Sequence, residues 1–348
     1  TITKHTDYFN NKLYTGDGGT QSVTGVGFQP DFTWLKCRST AYHNRLFDAV
    51  RGAGKNLISD TTNAEQTVDE GVTAFNSDGF SVKQGSTMEY NKTSETYASW
   101  NWKGANGTAS NSNGTITSTV SANTTAGFSI VSYTANGTQG ATVGHGLSSA
   151  PEMVITKDRS ATGGWGVYHI RLDQSSPEDK YIELNSNSAV SDFTYWNDTK
   201  PSNTVVTIGN AAANNTNGRN IIMYCFHSVT GYSKFGSYTG NGNADGPFIY
   251  TGFKPAFVII KGAVSGDGDA AQNWELYDNK RLGYNVDNNS LLPSTAGTEN
   301  TGDRVDILSN GFKIRINSDG VNDNNSTYIY MAIGQSLVGT NNTPCTAR

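Results

Sequence analysis

The sequence predicts an all-β protein, a tandem array of three antiparallel β-sandwich modules of jelly-roll or lectin-like type. The first observation is a heptad from Pro to Lys that occurs at 30–36, 151–157 and 255–261. The second is a composition with 39 Gly and only 16% charged residues, in which Asn-Gly pairs separate short apolar runs. The third is that apolar residues alternate over short stretches and keep helical spacing over no long one. Together they favour short strands in antiparallel sheets.

Each heptad belongs to a longer repeat of about a hundred residues, which is the usual size of a domain. A Tyr precedes each Pro, at Tyr14, Tyr133 and Tyr238. Each Lys is followed by a pair made of an aromatic and a polar residue, at Phe47-Asp48, Tyr168-His169 and Tyr277-Asp278. An aromatic-rich run closes each copy, at 97–102, 221–226 and 328–333. The repeated order of these signals indicates that one module is written three times.

The module boundaries are expected where the composition turns small and polar. We predict modules at 1–104, 127–230 and 231–336. The Gly/Asn/Ser/Thr-rich stretch 105–126 is predicted as a polar linker or an edge strand, because part of it alternates. The last stretch, 337–348, is predicted as a polar tail.

Strand positions that carry β-branched or aromatic side chains are the predicted core, because these residues suit a pleated, half-buried surface. Within the heptads the predicted core residues are Trp34, Val154, Ile155, Val258 and Ile260. Trp100 and Trp102 alternate in the closing run of the first copy and are predicted to be buried as well.

Charge and hydropathy exclude several classes of partner. The net charge is −5 and Lys and Arg do not cluster, which argues against a nucleic-acid surface. A run of about 18 apolar residues, as a membrane span requires, does not occur. The cysteines Cys37, Cys225 and Cys345 are widely spaced and predict free thiols rather than disulfides or a zinc site.

Aromatic residues in polar or Gly-flanked contexts are the candidate ligand-binding residues. They are Trp165, Tyr195, Trp196 and Trp274. Exposed rings of this kind stack on sugars, with Asn and Asp supplying hydrogen bonds nearby. The alternative interpretation is that each ring packs against its own module.

One acidic loop is a candidate metal site. Asp267 and Asp269 are separated by one Gly, so their carboxylates could hold a hard cation such as calcium. The loop lacks the later bidentate acid of an EF-hand, and a plain hairpin tip is the alternative. No other cofactor is predicted.

Catalytic motifs are not evident, so the sequence predicts a protein that is not an enzyme. It contains neither a Gly-x-Ser-x-Gly elbow nor a His pair with metal-binding spacing. A glycosidase could bring together distant acids, and Asp48, Asp78 and Glu95 are the conceivable partners. Acids on a β protein are more often turn formers or solvated loop residues.

Several longer motifs resemble a known group of proteins. The segments 3–10 (TKHTDYFN), 25–32 (GVGFQPDF), 46–52 (LFDAVRG) and 231–242 (GYSKFGSYTGNG) are similar to the repeated β domains of virion-associated proteins of marine tailed phages, especially cyanophages. The resemblance covers most of the chain and brings no catalytic residues with it. The second copy departs furthest, with Gly144-His145-Gly146-Leu147 in place of the Gly-Phe-x-Pro pattern.

The resemblance implies a virion protein whose partners are other virion proteins and host cell-surface glycans. We therefore predict a non-enzymatic structural protein of tail-fibre or appendage type that attaches the particle to glycans, as a homo-oligomer where fibre symmetry requires one. Weak contacts multiplied over modules and copies would supply avidity. The alternatives are a capsid or tail decoration (cement) protein and a glycan depolymerase.

Overall fold

The computed structural model describes residues 2–87, 89–266, 272–281 and 289–336. Over this part of the chain, 26 strands form six sheets, and every ladder between named strands is antiparallel. The predicted tail at 337–348 lies outside the described residues. The helical elements of the described residues are short turns outside the strands: His5–Asp7, Pro177–Asp179, Thr194–Trp196, α1 (Ala212–Asn215) and α2 (Asp319–Asn322).

Module 1 is the first pair of sheets along the chain. Its strands are β1 (Phe9–Thr15), β2 (Thr20–Thr24), β3 (Phe32–Cys37), β4 (Arg45–Asp48), β5 (Lys55–Ile58), β6 (Gln66–Thr67), β7 (Gly71–Asn76), β8 (Gly79–Lys83) and β9 (Thr96–Trp102). The large sheet has the order β1-β9-β3-β4-β5-β6, and the small sheet has the order β2-β8-β7.

Module 2 is the second pair. Its strands are β10 (Ala109–Asn111), β11 (Ser118–Asn123), β12 (Phe128–Thr134), β13 (Ala141–Gly144), β14 (Met153–Asp158), β15 (Trp165–His169), β16 (Lys180–Glu183), β17 (Ser191–Asp192), β18 (Val205–Ile208) and β19 (Asn220–Phe226). The large sheet runs β10-β11-β12-β19-β14-β15-β16-β17, and β13 pairs with β18 in the small one. The stretch 105–126 thus supplies the edge strand β10 and its neighbour β11.

Module 3 is the third pair. Its strands are β20 (Ser233–Thr239), β21 (Phe248–Tyr250), β22 (Pro255–Val264), β23 (Trp274–Asp278), β24 (Val305–Leu308), β25 (Gly311–Ile314) and β26 (Thr327–Gly334). The large sheet runs β20-β26-β22-β23 and the small sheet β21-β25-β24. In all three large sheets the module's closing strand lies between an opening strand and the heptad strand.

Each pair of sheets is a sandwich, which confirms the predicted all-β fold of antiparallel β-sandwiches. Apolar side chains from the facing sheets form a separate core in each module, as with Leu35, Phe47, Phe80 and Val82 in module 1. The two other modules contain corresponding clusters between their sheets. The predicted core residues are at most 7% exposed: Trp34, Trp100, Trp102, Val154, Ile155, Val258 and Ile260.

The large sheets are also buried on their second face, against one another. The heptad alternates between the two environments: in β22, Val258 and Ile260 face the sandwich core, whereas Phe257 and Ile259 join a central cluster shared by the three modules. Aromatic contacts cross this centre, such as Phe32 with Tyr224 at 4.6 Å between ring centroids. A heptad with no polar outer face therefore marks a strand buried on both sides.

Contacts at the ends of the described chain complete the arrangement. His5 packs edge-on against Tyr232 at 5.2 Å between ring centroids, and the Thr6 amide donates to Ser336 Oγ at 3.1 Å. Module 1 therefore contacts module 3 as well as module 2, and the three modules form a closed ring around the central cluster.

Candidate functional site

Two of the four predicted ligand-binding rings are buried between modules, which corrects that prediction. Trp165 is fully buried and its indole Nε1 donates to the Ile58 carbonyl of module 1 at 2.9 Å. Trp274 is 1% exposed and donates in the same way to Glu183 of module 2 at 2.8 Å. A ring that is closed off in this way cannot stack on a ligand; it anchors one module to the next.

The other two predicted rings are buried inside module 2, so this part of the prediction is also wrong. Tyr195 is 3% exposed, and its hydroxyl lies 2.9 Å from Thr156 Oγ1. Trp196 is fully buried beside it. The glycine that made the context of Trp165 look loop-like, Gly166, has a packing role: a Cβ there would lie 2.1 Å from the Tyr195 ring.

The remaining site candidates of the sequence fall into two groups. The predicted calcium ligands Asp267 and Asp269 lie outside the described residues, and within the described ranges no cluster of three His, Cys, Asp or Glu side chains could hold a metal. Of the candidate catalytic acids, Asp78 accepts the Gly25 and Gly27 amides and Glu95 accepts two hydroxyls. These bonds hold the pKa of both carboxyls below the usual range.

The third acid, Asp48, belongs to an ionic chain where module 2 meets module 1. Arg159 forms a bidentate pair with Glu65, with nitrogen–oxygen distances of 2.8 and 2.9 Å. Glu65 also accepts Arg51 Nη1 at 3.2 Å, and the fully buried Arg51 pairs with Asp48. The hydroxyl of Tyr224 in module 2 donates to Asp48 at 2.7 Å. Every charge in this chain is therefore paired.

The same chain recurs where module 1 meets module 3. Arg38 holds Glu299 in a bidentate pair at 2.8 and 2.9 Å, and Glu299 accepts Arg281 Nη1 at 3.1 Å. Arg281 pairs with Asp278 at 2.7 Å, and the Trp100 indole of module 1 donates to Asp278 at 2.9 Å. The arginines hold the pKa of Glu299 at about 2, although burial acts in the opposite direction.

The third interface, of module 3 with module 2, keeps the backbone contact and lacks the ions. The Val190 amide donates to the Ala263 carbonyl at 3.0 Å, as Glu65 does to Arg159 and Glu299 to Arg38. Leu172 occupies the position of the buried arginines, and His169 that of the aspartates. His169 Nε2 donates to the Tyr330 carbonyl at 3.1 Å, and burial lowers its pKa to about 4, so the ring is neutral.

The lysine that ends each heptad crosses these interfaces. Lys36 donates to the Ala296 carbonyl, Lys157 to Thr62 and Lys261 to Asn187, each in the neighbouring module. Burial lowers the pKa of Lys36 and Lys157 to about 8 and that of Lys261 to about 7. The pKa of Lys261 is lowered further than that of the other two lysines, because no acid at its apolar interface raises it. The repeated lysine is therefore a connector between modules.

An open groove at one edge of module 3 is lined by groups that could contact a ligand. It has a volume of about 350 Å³, within the range of small-molecule sites. We call it the module 3 groove, and its lining residues are Arg171, Lys234, Phe235, Gly236, Ser237, Tyr238, Phe248, Ile249, Tyr250 and Tyr330. It lies between β20 and β21, which are the edge strands of the large and the small sheet.

Two exposed aromatic rings and two cations line this groove. Phe248 and Tyr250 are 45% and 59% exposed, because they alternate with the buried Ile249 on a strand with one open face. Lys234 Nζ lies 5.4 Å from the centre of the Tyr250 ring and donates to its carbonyl at 2.7 Å. Arg171 reaches the groove from module 2. Among the described residues, no acid lines the groove.

The groove was not predicted from the sequence, although the repeat carries a signal for it. Strand pairing aligns Phe248-Ile249-Tyr250 with Ser22-Val23-Thr24 in module 1, because Ile249 and Val23 both pair with the Phe of a Gly-Phe strand. The middle residue is apolar and buried in both copies, so the flanking residues must face outward. Three successive hydrophobic residues in module 3 conceal this when they are considered alone.

The groove chemistry does not recur in the other modules. In module 1, Ser22 and Thr24 take the places of the rings. In module 2, the matching strand β12 is not at an edge, because β11 pairs with it. A glycine also shapes the groove floor: a Cβ on Gly236 would lie 2.6 Å from Tyr330 Oη. Module 3 therefore carries a surface that its two sister modules lack.

Comparison with known proteins identifies the family. The model of DUF7483, a domain of unknown function, matches residues 4–336, so the chain belongs to this family. The match spans all three modules. Neither a curated protein nor a solved structure matches the chain. Within the described residues no helix is long and apolar enough to cross a membrane.

Proposed function

We propose that this member of the DUF7483 family is a non-enzymatic structural protein of a phage particle, of tail-fibre or appendage type, that attaches the particle to host-surface glycans. The observation that carries the proposal is the module 3 groove, where two exposed rings and two cations meet beside open sheet edges. Protein sites that recognise small ligands combine aromatic walls with a few polar groups in this way.

The bonding of the three candidate catalytic acids supports a binding protein rather than an enzyme. Asp48 is fully buried and bonded to Arg51 and Tyr224, whereas Asp78 and Glu95 lie in surface hydrogen bonds that keep them ionised. A glycosidase requires one acid with a raised pKa close to a second carboxylate. The structural bonds of these three acids favour binding over the depolymerase alternative.

Particle membership and attachment are tested separately. Immunogold labelling of purified particles of the phage that encodes the chain should place it on the tail or its appendages. Purified chain added to host cells should then reduce phage adsorption, because it occupies the same glycans. Absence of the chain from washed particles would overturn the proposal.

A second candidate is a capsid or tail decoration protein, and the closed ring favours it. Three similar sandwiches are arranged around one central cluster, as the subunits of a trimer would be. A single chain of this kind suits a threefold symmetric position on a particle. Imaging of intact virions distinguishes the two: density on the capsid lattice supports decoration, and density on fibres supports attachment.

A further inference from the structure

We infer that the module 3 groove binds an anionic saccharide in preference to a neutral one. The inference rests on the proposed glycan attachment and adds the charge class of the ligand and the residues that select it. The observations behind it are the position of two cations, the spacing of two rings, and the difference between module 3 and its sister modules.

The cations of the groove have capacity left for a ligand. The Arg171 side chain is exposed and forms no ion pair with any described residue, while its backbone amide is fixed on His169 Nδ1 at 3.1 Å. Lys234 uses one donor on the Tyr250 carbonyl and likewise forms no ion pair within the described ranges. A guanidinium binds a carboxylate or sulfate with two parallel hydrogen bonds. The chain is acidic overall, with a net charge of −5, so an acid-free groove with two cations is a local exception.

The rings give the groove a place for sugar faces. Phe248 and Tyr250 are two residues apart on one strand face, so their Cα atoms are separated by about 6–7 Å. Neither ring is closed off, and the Lys234 ammonium holds the Tyr250 ring from one side. The apolar face of a saccharide can therefore lie on the rings while its acid group meets Arg171.

The neighbouring interface supplies matched controls. Arg171 follows His169 by two residues, and Lys280 follows Asp278 by two, so Lys280 takes the equivalent exposed place beside module 1. There the rings are replaced by Ser22 and Thr24. Lys280→Ala removes a cation from a surface without rings, and Phe193→Ser removes an exposed ring from a surface outside the groove.

The test is calorimetric titration of the purified full chain at low salt with three oligosaccharides of equal length. They are an oligogalacturonate, a sulfated galactose oligomer and a neutral galactose oligomer. We expect at least one acidic oligomer to bind about 10-fold or more tightly than the neutral one, because a hydrogen bond to a charged group contributes more than a neutral one. The acidic oligomer that binds identifies the anion. Added salt should weaken this binding.

The variants locate the binding. Arg171→Ala should lower affinity for the acidic oligomer about 10-fold, and the double variant Phe248→Ser/Tyr250→Thr should lower it for every oligomer. Lys280→Ala and Phe193→Ser should match the wild type. The groove residues changed are exposed or at the surface, so an unchanged melting temperature checks that the fold is intact.

Each outcome decides between the proposals. Equal affinity for acidic and neutral oligomers would overturn charge selection and leave glycan attachment standing. Equal losses from Arg171→Ala and Lys280→Ala would overturn the assignment to this groove. If no oligosaccharide binds while the chain still blocks phage adsorption, the groove inference is wrong and attachment uses another surface. If the chain neither binds saccharides nor blocks adsorption, the proposed attachment function fails too.

Discussion

Two of the three interfaces in the ring are closed by ionic chains, and the third is closed by apolar side chains at the same positions. Where Arg159, Glu65 and Arg51 meet at one interface, Ala263, Val190 and Leu172 take their places at another. The backbone hydrogen bond between the first two positions is 3.0 Å in every case. The ring geometry is therefore set by the sheets and the central cluster, and the side chains at each interface are alternative ways to fill it.

The difference between the ionic and the apolar interfaces also indicates that the buried charged residues depend on one another. A buried arginine without its acid is an uncompensated charge, so the arginine, the glutamate and the aspartate must be present or absent together. The apolar interface lacks all of them, and it holds a neutral histidine where the others hold an aspartate. A mixture of the two sets would leave a buried charge without a partner.

The largest expected effect comes from breaking one ionic chain at its centre. Arg51→Leu leaves Asp48 buried beside Tyr224 without its cation, and it should lower the free energy of unfolding by about 3–5 kcal/mol. Urea unfolding followed by tryptophan fluorescence measures this. The control is Lys83→Ala, because Lys83 pairs with the 95% exposed Asp69 and should contribute about 0–1 kcal/mol. If Arg51→Leu lowers the free energy of unfolding by less than Lys83→Ala does, the residues of the ionic chain do not depend on one another.

An intermediate effect is expected from acid. Burial lowers the pKa of His169 from about 6.5 to about 4, so the unfolded chain binds the proton more readily. The contribution of His169 to stability is complete above pH 6.5 and is lost as the pH falls towards 4. Between pH 7 and pH 5 this amounts to about 2 kcal/mol.

The variant His169→Gln should flatten the dependence of unfolding free energy on pH in this window. Part of the pH dependence should remain in this variant, because burial also lowers the pKa of His145 to about 4. Glu299→Gln is the matched change at an ionic interface: because the folded pKa of Glu299 is about 2, its effect on the slope should appear only below about pH 4.5. If His169→Gln leaves the slope above pH 5 unchanged, His169 is not the titrating group.

The smallest effect is expected when one complete set replaces the other. The five changes Asp48→His, Arg51→Leu, Glu65→Val, Arg159→Ala and Tyr224→Met give the first interface the residues of the third. We expect unfolding free energy within about 2 kcal/mol of the wild type, since apolar replacement of a complete buried ion network is often neutral or stabilising. The fivefold variant should therefore be more stable than Arg51→Leu alone. A cost near the sum of the single changes would contradict the interchangeability of the two sets.

Much of the fold could be predicted from the repeat. The β-branched and aromatic residues of the heptads predict that Trp34, Val154 and Ile260 are buried, and all three are at most 4% exposed. The stretch 105–126 is predicted as a linker or an edge strand; it supplies the edge strand β10, and its alternating part continues into β11, the next strand of the sheet. These are properties of local sequence, and the structure retains them.

The candidate site could not be predicted in the same way. Trp165 lies among glycines, which is typical of an exposed loop, but the Ile58 carbonyl of another module receives its indole. Phe248 and Tyr250 stand in a run of three hydrophobic residues, yet they face solvent because they lie on the open face of β21, opposite the buried Ile249. Exposure depends on which surface of one module another module covers, and that information is distributed over residues far apart in the chain.

Strand periodicity, the repeated order of strands and the lack of sustained helical spacing follow from the sequence alone, because side-chain alternation and turn chemistry act over a few residues. The packing of the three large sheets with their second faces towards a common centre depends on contacts between residues far apart in the chain. This arrangement buried the predicted rings, paired Glu65 with Arg159 of the next module and left the module 3 groove open. The physical reason is that burial and charge pairing are set by neighbours in space, which here belong to different modules.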